Sequence, residues 1–417
     1  MKATHLLLIT LLCVGACDDS GSYSASDEPD AAGDSSLDAD DDAAQDLGGD
    51  VEADAPGDGC VQKVTVGTRF ACALTRNDEA WCWGSGDLGQ LGQGSLEDSA
   101  VPGRTMEGVT EVVAGCQHAC ALANDGTVWC WGRNASGNLG SPGVQMSTTP
   151  VQVVTEDGEP FTDVTTVAAG CAYTCAVRGD ETVWCWGQNN TSQLGNGTLN
   201  EARTPVQVLV DVGGTPFVGA TALAGGGFHT CARKPDGSLW CWGRNDFGHL
   251  GNGTGEDSAV AVRADIEDVV EVSVGFSHSC ARTSAGVVSC WGMVDDPLAG
   301  PGSVALNSAL PQEVFTGASH VFVEGSTHIC AIGAEDALSC WGRNNLGQLG
   351  DGTTEFRPQP VKTLLAAARS GGAAQLNTCA VTPEGTLFCW GDGERGQLGP
   401  GHEVGSPEPV QIELDCD

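Results

Sequence analysis

Apolar residues alternate with polar ones in short runs along most of this chain, and a turn sequence separates each pair of runs. In residues 120–130 the runs Cys120-Ala-Leu-Ala and Val128-Trp-Cys130 flank Asn124-Asp-Gly126. Asn, Asp and Gly are typical of tight turns, and the flanking residues favour strands, so this segment is predicted to be a β-hairpin. Opposed residues on antiparallel strands have Cα atoms about 4.5 to 5.5 Å apart, within reach of a disulfide between Cys120 and Cys130. The alternative is a pair of buried free thiols that pack as small apolar side chains.

This hairpin occurs seven times, always with two cysteines ten positions apart and with Trp-Gly after the second cysteine. The cysteine pairs are Cys72 and Cys82, Cys120 and Cys130, Cys175 and Cys185, Cys231 and Cys241, Cys280 and Cys290, Cys330 and Cys340, and Cys379 and Cys389. The first cysteines lie 48 to 56 residues apart, and Gly- and Trp-rich repeats of about this length are typical of propeller blades. We therefore predict an all-β, seven-bladed β-propeller over residues 59–417, with one disulfide-clipped hairpin in each blade.

Each unit has further shared features. An approach strand that ends in Gly precedes the hairpin, and a glycine-rich loop such as Leu88-Gly-Gln-Leu-Gly92 follows it. A closing strand containing Pro-Val, as at Pro150-Val151, ends the unit. The loop of the fifth unit, residues 293–300, departs from this pattern.

The combination of Gly-x-x-His-x-Cys-Ala, Asp-Gly-x-x-Trp-Cys-Trp-Gly-x-Asn and Gly-Gln-Leu-Gly resembles the regulator of chromosome condensation repeat family in its secreted bacterial form. The resemblance covers about residues 60–417. It implies a seven-bladed β-propeller, in agreement with the count of hairpins. The nuclear namesake of the family exchanges guanine nucleotide on a small GTPase and binds chromatin. That role is not expected here, because this chain carries an export signal, is acidic and has no basic tail.

The N-terminal residues are similar to a bacterial lipoprotein signal. Lys2 precedes the apolar run Leu6–Leu12, and Val14-Gly-Ala-Cys17 resembles the lipobox of such signals. The resemblance implies a signal peptide over residues 1–17, after which Cys17 becomes the lipidated N-terminus; an ordinary signal peptide with an unrelated Cys is the alternative. Residues 18–58 are rich in Asp, Ala, Gly and Ser and are predicted to be a disordered acidic tether. Either kind of signal predicts export to a compartment in which disulfides persist.

The cysteine count fits this organisation. Of the 20 cysteines, Cys13 would be lost with the signal and Cys17 would carry lipid, and fourteen belong to the hairpins. Cys116 and Cys171 occupy equivalent places in consecutive units, just after the approach strand, and are predicted to pair. Cys60 and Cys416 lie at the two ends of the repeats and are predicted to pair where the ring closes. Nine disulfides and no free thiol are therefore expected.

The net charge of −37 argues against a nucleic-acid partner, because phosphate binding needs clustered Lys and Arg. Residues 18–58 contain fifteen acidic and no basic residues, which leaves 40 acidic against 17 basic residues in 59–417 and a net charge there of about −23. The segments Gly84-Ser-Gly-Asp-Leu-Gly89 and Gly391-Asp-Gly-Glu-Arg-Gly396 fit a dinucleotide-binding pattern, but they fall in loops between strands rather than before a helix. No cofactor is therefore predicted.

Two positions before the first cysteine of each pair, four of the seven units have a histidine. The residues at this position are Phe70, His118, Tyr173, His229, His278, His328 and Asn377. A metal site would need several of them to converge on the ring axis, whereas a structural hydrogen bond needs no such convergence. The structural interpretation is preferred, and no metal site is predicted.

Two insertions in neighbouring units, Glu156–Phe161 and Val212–Phe217, bear on the binding of a partner. Phe161 and Phe217 are candidates for a partner-binding rim, since loops often carry function. The alternative is that each ring tucks under its own hairpin.

The function predicted from the sequence is that of a monomeric, lipid-anchored protein of the cell envelope, with the outer membrane or cell surface favoured over the inner membrane. It would act as a non-enzymatic interaction module for a protein or a glycan. The alternatives are a hydrolase or lyase of envelope polysaccharide, or a propeller inhibitor of a secreted enzyme. A sialidase-like enzyme would need a tyrosine nucleophile, and the chain offers only Tyr23 and Tyr173.

Overall fold

The computed structural model describes residues 59–293, 307–323, 325 and 328–416, and these residues form seven four-stranded antiparallel sheets. Each sheet is one blade, built from strands that are consecutive in the chain. The strands of blades 1 to 4 are β1 Val61–Val66, β2 Phe70–Thr75, β3 Glu79–Gly84, β4 Ser99–Glu107, β5 Val109–Ala114, β6 His118–Ala123, β7 Val128–Arg133, β8 Met146–Gln152, β9 Val164–Ala169, β10 Tyr173–Arg178, β11 Val183–Gly187, β12 Ala202–Gln207, β13 Ala222–Gly225, β14 His229–Arg233, β15 Leu239–Gly243 and β16 Ser258–Arg263. The strands of blades 5 to 7 are β17 Val269–Val274, β18 His278–Thr283, β19 Val288–Met293, β20 Asn307–Phe315, β21 His320–Phe322, β22 His328–Ile332, β23 Leu338–Gly342, β24 Arg357–Lys362, β25 Ser370–Ala373, β26 Asn377–Val381, β27 Leu387–Gly391 and β28 Ser406–Ile412.

The middle two strands of every blade form the hairpin predicted from the sequence. In blade 2, Cys120 of β6 stands directly opposite Cys130 of β7, and the turn between them places Gly126 at a φ of 78°. In all seven hairpins the two cysteines form a disulfide, with Cα atoms 4.0 to 4.2 Å apart. The prediction of an all-β, seven-bladed propeller with a clipped hairpin in each blade is confirmed.

The blades close into a ring. The innermost strand of each blade contacts the innermost strand of the next, and β25 of the last blade contacts β1 of the first. No strand is exchanged between the terminal blades of the described chain, so other bonds join them. A disulfide links Cys60 to Cys416, and Val61 N donates a hydrogen bond to Gly385 O at 3.2 Å. The sequence predicted this disulfide at the closure of the ring, and the structure has it there.

The apolar core lies between consecutive blades. Trp131 of blade 2, for example, is fully buried against Phe70 and Leu91 of blade 1. An indole of this size buries about 150 to 250 Å² of surface, which corresponds to about 5 kcal/mol of transfer free energy before entropy is subtracted. In the part of the chain that the structure describes, no helix is long and apolar enough to cross a membrane.

Candidate partner-binding site

The ring has two faces, which the strand connections define. One, here called the loop face, carries the links between the first and second strands of each blade and the glycine-rich loops between the third and fourth strands. The other, here called the turn face, carries the hairpin turns and the links between blades. The described glycine-rich loops are residues 85–98, 134–145, 188–201, 244–257, 343–356 and 392–405.

A buried asparagine organises most of these loops. In blade 4, Asn245 Oδ1 accepts a hydrogen bond from Leu250 N at 2.9 Å, and its Nδ2 donates to Glu256 O at 3.0 Å. Asn134, Asn189 and Asn344 do the same in blades 2, 3 and 6 by accepting from the equivalent leucine amide. One side chain therefore fixes both ends of the loop, which explains the Trp-Gly-x-Asn pattern of the sequence.

Each glycine-rich loop is also held by the following blade. The carbonyl of Gln193 in the blade 3 loop accepts hydrogen bonds from Trp242 Nε1 at 3.0 Å and from Thr230 Oγ1 at 3.2 Å, both in blade 4. The indole after the second cysteine makes the same bond to the preceding loop at five other junctions, through Trp83, Trp131, Trp186, Trp291 and Trp390. The six described glycine-rich loops are consequently each held in place by the blade that follows them.

A central cavity of about 480 Å³ runs between the blades, and we call its end at the loop face the mouth. Its walls are the innermost strands of the seven blades, and its mouth is lined by the residues that follow those strands. At the mouth Cys116 of blade 2 and Cys171 of blade 3 form a disulfide between neighbouring blades, with Cα atoms 4.5 Å apart. Cys171 N also donates to Gly226 O of blade 4 at 3.1 Å. The mouth is thus bonded from blade to blade.

A row of aromatic side chains leads outward from this mouth across blades 4 and 5, and we call Phe276, Phe228, Arg244 and Phe247 the aromatic stripe. Phe276 lines the cavity, and its ring meets that of Phe228 edge-on with centroids 5.0 Å apart. The guanidinium of Arg244 lies 5.4 Å from the centroid of Phe228 and 5.7 Å from that of Phe247. Phe247, at the outer end, is 39% exposed. Asp246 fixes the guanidinium with two hydrogen bonds of 2.8 and 2.6 Å.

The loop face is acidic. Most of its basic side chains already pair with carboxylates: Arg395 Nη1 lies 3.0 Å from Asp98 Oδ2, and Arg69 Nε lies 3.7 Å from Asp392 Oδ2. Several exposed glutamates make no ion pair within the described residues, namely Glu97, Glu201, Glu256 and Glu403. The surface therefore combines apolar and aromatic contact area with an excess of negative charge.

The two phenylalanines that the sequence nominated for partner binding lie inside the molecule. Phe161 is 3% exposed and Phe217 is fully buried. Phe161 meets Trp186 edge-on at 5.9 Å, and Phe217 lies 5.9 Å from Trp242. Their insertions lie on the turn face, and folding each ring under a hairpin removes its apolar area from water. The prediction that Phe161 and Phe217 form a partner-binding rim is therefore wrong. The alternative, that each ring packs under its own hairpin, is the arrangement in the structure.

The recurring histidine position serves the packing of neighbouring blades. His118 Nε2 lies 2.9 Å from Thr174 Oγ1, His229 Nε2 lies 2.7 Å from Ser279 Oγ, and His328 Nε2 lies 2.6 Å from Thr378 Oγ1. Burial lowers the pKa of His118 to about 4 and that of His328 to about 3, so both rings are neutral. The hydroxyl of Tyr173 donates to His229 O and is also buried, which raises its pKa. These side chains are enclosed between blades and present no reactive group to a substrate.

Cys17 and the residues of the predicted signal and tether lie outside the described residues. In the described ranges, no group of three or more His, Cys, Asp or Glu side chains is arranged to hold a metal ion.

The aromatic stripe was not predicted from the sequence, although a signal for it exists. Phe228 stands in the short link between the first two strands, at the position where other blades have Arg69, Gln117 or Ala172. Phe276 stands one position earlier in this link, where other blades have Thr68, Cys116 or Cys171, and Phe247 stands at a loop position where blade 3 has Thr191. Large aromatic residues at positions that the repeat leaves variable and exposed are candidates for function. Their proximity, however, requires knowledge of how blades 4 and 5 meet.

A closed ring of seven clipped blades, with the described glycine-rich loops held on one face, defines this protein as a β-propeller. Residues 31–376 match the RCC1-like domain, and residues 384–415 match the regulator of chromosome condensation (RCC1) repeat. The chain belongs to the RCC1-like family, whose propellers are typically regulators or protein-interaction modules.

Relatives and solved structures agree with this assignment. The chain is 29% identical over 223 residues to the ultraviolet-B receptor UVR8 of Arabidopsis thaliana, covering 52% of this chain and 49% of that protein. It is 29% identical over 210 residues to the probable E3 ubiquitin-protein ligase HERC4 of Homo sapiens, covering 48% of this chain but only 19% of that protein. The matched part thus spans about half or less of these curated relatives.

The structure of Prp20p from Saccharomyces cerevisiae, described with its binding to Gsp1p and histones, superposes with a TM-score of 0.69. The superposition covers 82% of this chain and 87% of that one, at 21% identity. At this identity the likeness establishes the fold.

Proposed function

We propose that this protein is an exported, lipid-anchored and non-enzymatic β-propeller of the cell envelope that binds a protein partner through its loop face. The observation that carries the proposal is the aromatic stripe. It presents the exposed ring of Phe247, two half-buried rings and an ordered arginine on a face whose described glycine-rich loops are held by hydrogen bonds. Aromatic residues and arginine are enriched among residues that dominate binding energy. A preformed surface also loses little conformational entropy on binding.

The cysteines support export. Every hairpin disulfide is buried, and disulfides persist in oxidising compartments rather than in the cytosol. The lipobox-like sequence that ends at Cys17 supports a lipid anchor, and the acidic segment 18–58 would serve as the spacer between anchor and propeller. The protein is proposed to act as a monomer.

Binding through the loop face can be tested with a photo-crosslinking amino acid at position 247, compared with one at position 212. Val212 is an exposed apolar residue in a turn-face insertion, 88% accessible, and serves as the control. We expect a specific protein adduct from position 247 in envelope fractions and none from position 212. With the partner then purified, Phe247→Ala should weaken binding by about tenfold or more. Equal crosslinking from both positions, or unchanged affinity, would contradict the proposal.

Purified protein should show saturable binding of its partner without turnover. Turnover of an envelope polysaccharide that is abolished by one carboxylate substitution would favour the hydrolase or lyase alternative. Binding of a glycan instead of a protein would likewise refute the proposed class of partner.

The anchor is tested by Cys17→Ser. This variant should move from the membrane fraction to the soluble exported fraction, because the lipid would no longer be attached. Cys13→Ser is the control, and this variant should remain in the membrane fraction. Retention of Cys17→Ser in the membrane would refute the lipid anchor and leave the binding proposal untouched.

A further inference from the structure

The chemistry of the partner can be inferred from what surrounds the aromatic stripe, and this inference rests on the proposed function. The blade 4 loop, residues 244–257, contributes three carboxylates beside the stripe. We call Asp246, Glu256 and Asp257 the acidic rim. All three are exposed, and the side chain of Asp246 is 45% accessible.

The loop holds the acidic rim close to the stripe through short contacts. Asp257 Oδ1 accepts a hydrogen bond from Asn245 N at 2.7 Å, and Glu256 O accepts one from Asn245 Nδ2 at 3.0 Å. Asn245 lies between Arg244 and Asp246 in the chain, so both arms of the loop meet at the stripe. The carboxylates of Asp246 and Asp257 therefore lie beside the stripe, and the backbone of Glu256 is held next to them.

The charges do not cancel within the loop. Arg244 is the one basic residue of the loop against three acidic ones, and Asp246 already engages its guanidinium. Glu256 makes no side-chain hydrogen bond or ion pair within the described part of the chain, and Asp257 makes a hydrogen bond but no ion pair. A complementary surface would supply positive charge to these two carboxylates and apolar contact to Phe247.

We propose that the aromatic stripe and the acidic rim together bind a protein segment with an apolar or aromatic anchor residue flanked by lysine or arginine. The anchor packs on Phe247 and Phe228 toward the mouth of the cavity, and the basic residues pair with Glu256 and Asp257. The net charge of about −23 on residues 59–417 attracts such a segment over a longer range and raises its association rate at low salt.

The experiment selects binders from a random twelve-residue peptide library displayed on phage, with immobilised full-length protein as the target. We expect enrichment of peptides in which Lys or Arg flanks Phe, Leu or Trp. Synthetic copies should bind about tenfold more weakly to Phe247→Ala. The double variant Glu256→Gln and Asp257→Asn should weaken binding about two- to fivefold and reduce its salt dependence.

Matched controls on the turn face are Val212→Ala and Glu159→Gln, and neither should change the affinity. Because Asn at position 257 keeps an acceptor oxygen for Asn245 N, the charge variant preserves the loop; thermal unfolding of each variant checks that it is folded. Enriched peptides that are acidic or uncharged, yet lose affinity with Phe247→Ala, would overturn the inferred chemistry and leave the loop face as a binding surface. Peptides unaffected by every loop-face variant, or no enrichment over a selection on Phe247→Ala, would overturn the inference.

Discussion

At the scale of single residues, the side chain two positions before the first cysteine of a hairpin is matched at most blade junctions to a residue of the next blade. His118 faces the hydroxyl of Thr174, which itself donates to Asn138 O at 2.9 Å. Because the one hydroxyl hydrogen is used there, Thr174 accepts from His118, and the ring is the neutral tautomer protonated on Nε2. Where blade 1 has Phe70 at this position, the next blade has Ala119 and needs no hydroxyl.

His278 has no such partner in the next blade, and we predict that this lowers the free energy of unfolding of the protein. The equivalent residue of the next blade is Ile329, and neither ring nitrogen of His278 has a hydrogen-bond partner within the described residues. His278→Phe, which copies Phe70, should raise the free energy of unfolding by about 1 to 2 kcal/mol. His328→Phe is the control: it loses the bond to Thr378 and should lower that free energy by a similar amount. Denaturant titrations without reductant give both values, and a loss of stability in both variants would contradict the assignment.

The same substitution should reduce the sensitivity of the fold to acid. Burial, with a smaller contribution from His249, lowers the pKa of His278 to about 4, against 6.5 for an exposed ring. Below pH 6.5 the unfolded chain gains a proton that the folded chain does not, so the free energy of unfolding falls as the pH drops toward 4. His278 accounts for up to about 3 kcal/mol of this loss. His278→Phe should show a shallower decline between pH 6.5 and 4, and an unchanged decline would refute this account.

At the scale of elements, the last glycine of the Gly-Gln-Leu-Gly type of loop is required by the next blade. Gly195 has a φ of 64°, and a Cβ placed there would lie 2.6 Å from Trp242 Cδ1. Gly92, Gly140, Gly251 and Gly350 also have positive φ and would meet the indole of the following blade at 2.7 to 2.9 Å. The glycine therefore serves both the turn and the approach of the tryptophan that holds the loop.

We predict that Gly195→Ala lowers the free energy of unfolding by about 2 to 4 kcal/mol, from left-handed strain and from displacement of Trp242. Gly158→Ala is the matched control, since Gly158 has a φ of 83° but a Cβ at that position would meet no atom within 4 Å. It should cost only about 1 kcal/mol, from backbone strain alone. Tryptophan fluorescence during unfolding measures both. Equal losses would show that the indole can move aside without cost.

At the scale of the whole molecule, the ring is closed by bonds between its ends rather than by a shared strand. Asn77 Nδ2 donates to Cys416 O at 3.0 Å, and Arg369 Nη2 donates to Val61 O. The disulfide between Cys60 and Cys416 spans 356 residues, whereas each hairpin disulfide spans ten. Restriction of the unfolded chain grows with the length of the loop that is closed.

We predict that Cys60→Ser with Cys416→Ser costs about 5 kcal/mol, and that Cys120→Ala with Cys130→Ala costs about 2 to 3 kcal/mol. The double variant at Cys60 and Cys416 should also speed amide hydrogen exchange in β1 and β25, which meet at the closure. The double variant at Cys120 and Cys130 should leave those two strands protected. Equal exchange in β1 and β25 for both variants would indicate that the hydrogen bonds alone keep the ring closed.

Much of the fold was predictable because its signals are local. The turn sequence and the alternation of residues 120–130 define a hairpin without reference to the rest of the chain, and seven copies define seven blades. The pairing of Cys116 with Cys171 followed from their equivalent places in the repeat. The candidate site was predicted less well: Phe161 and Phe217 are buried, and the aromatic stripe, with its exposed Phe247, was not recognised.

The sequence by itself determined the repeat, the hairpins, the cysteine pairs and the excess of acidic residues, because each depends on spacing or composition along the chain. Only the tertiary structure decided which rings are buried and which are exposed, and brought Phe228 and Phe276 together from positions 48 residues apart. The physical reason is that burial and contact between blades depend on how each sheet twists and packs against the next around the ring, which no single repeat specifies.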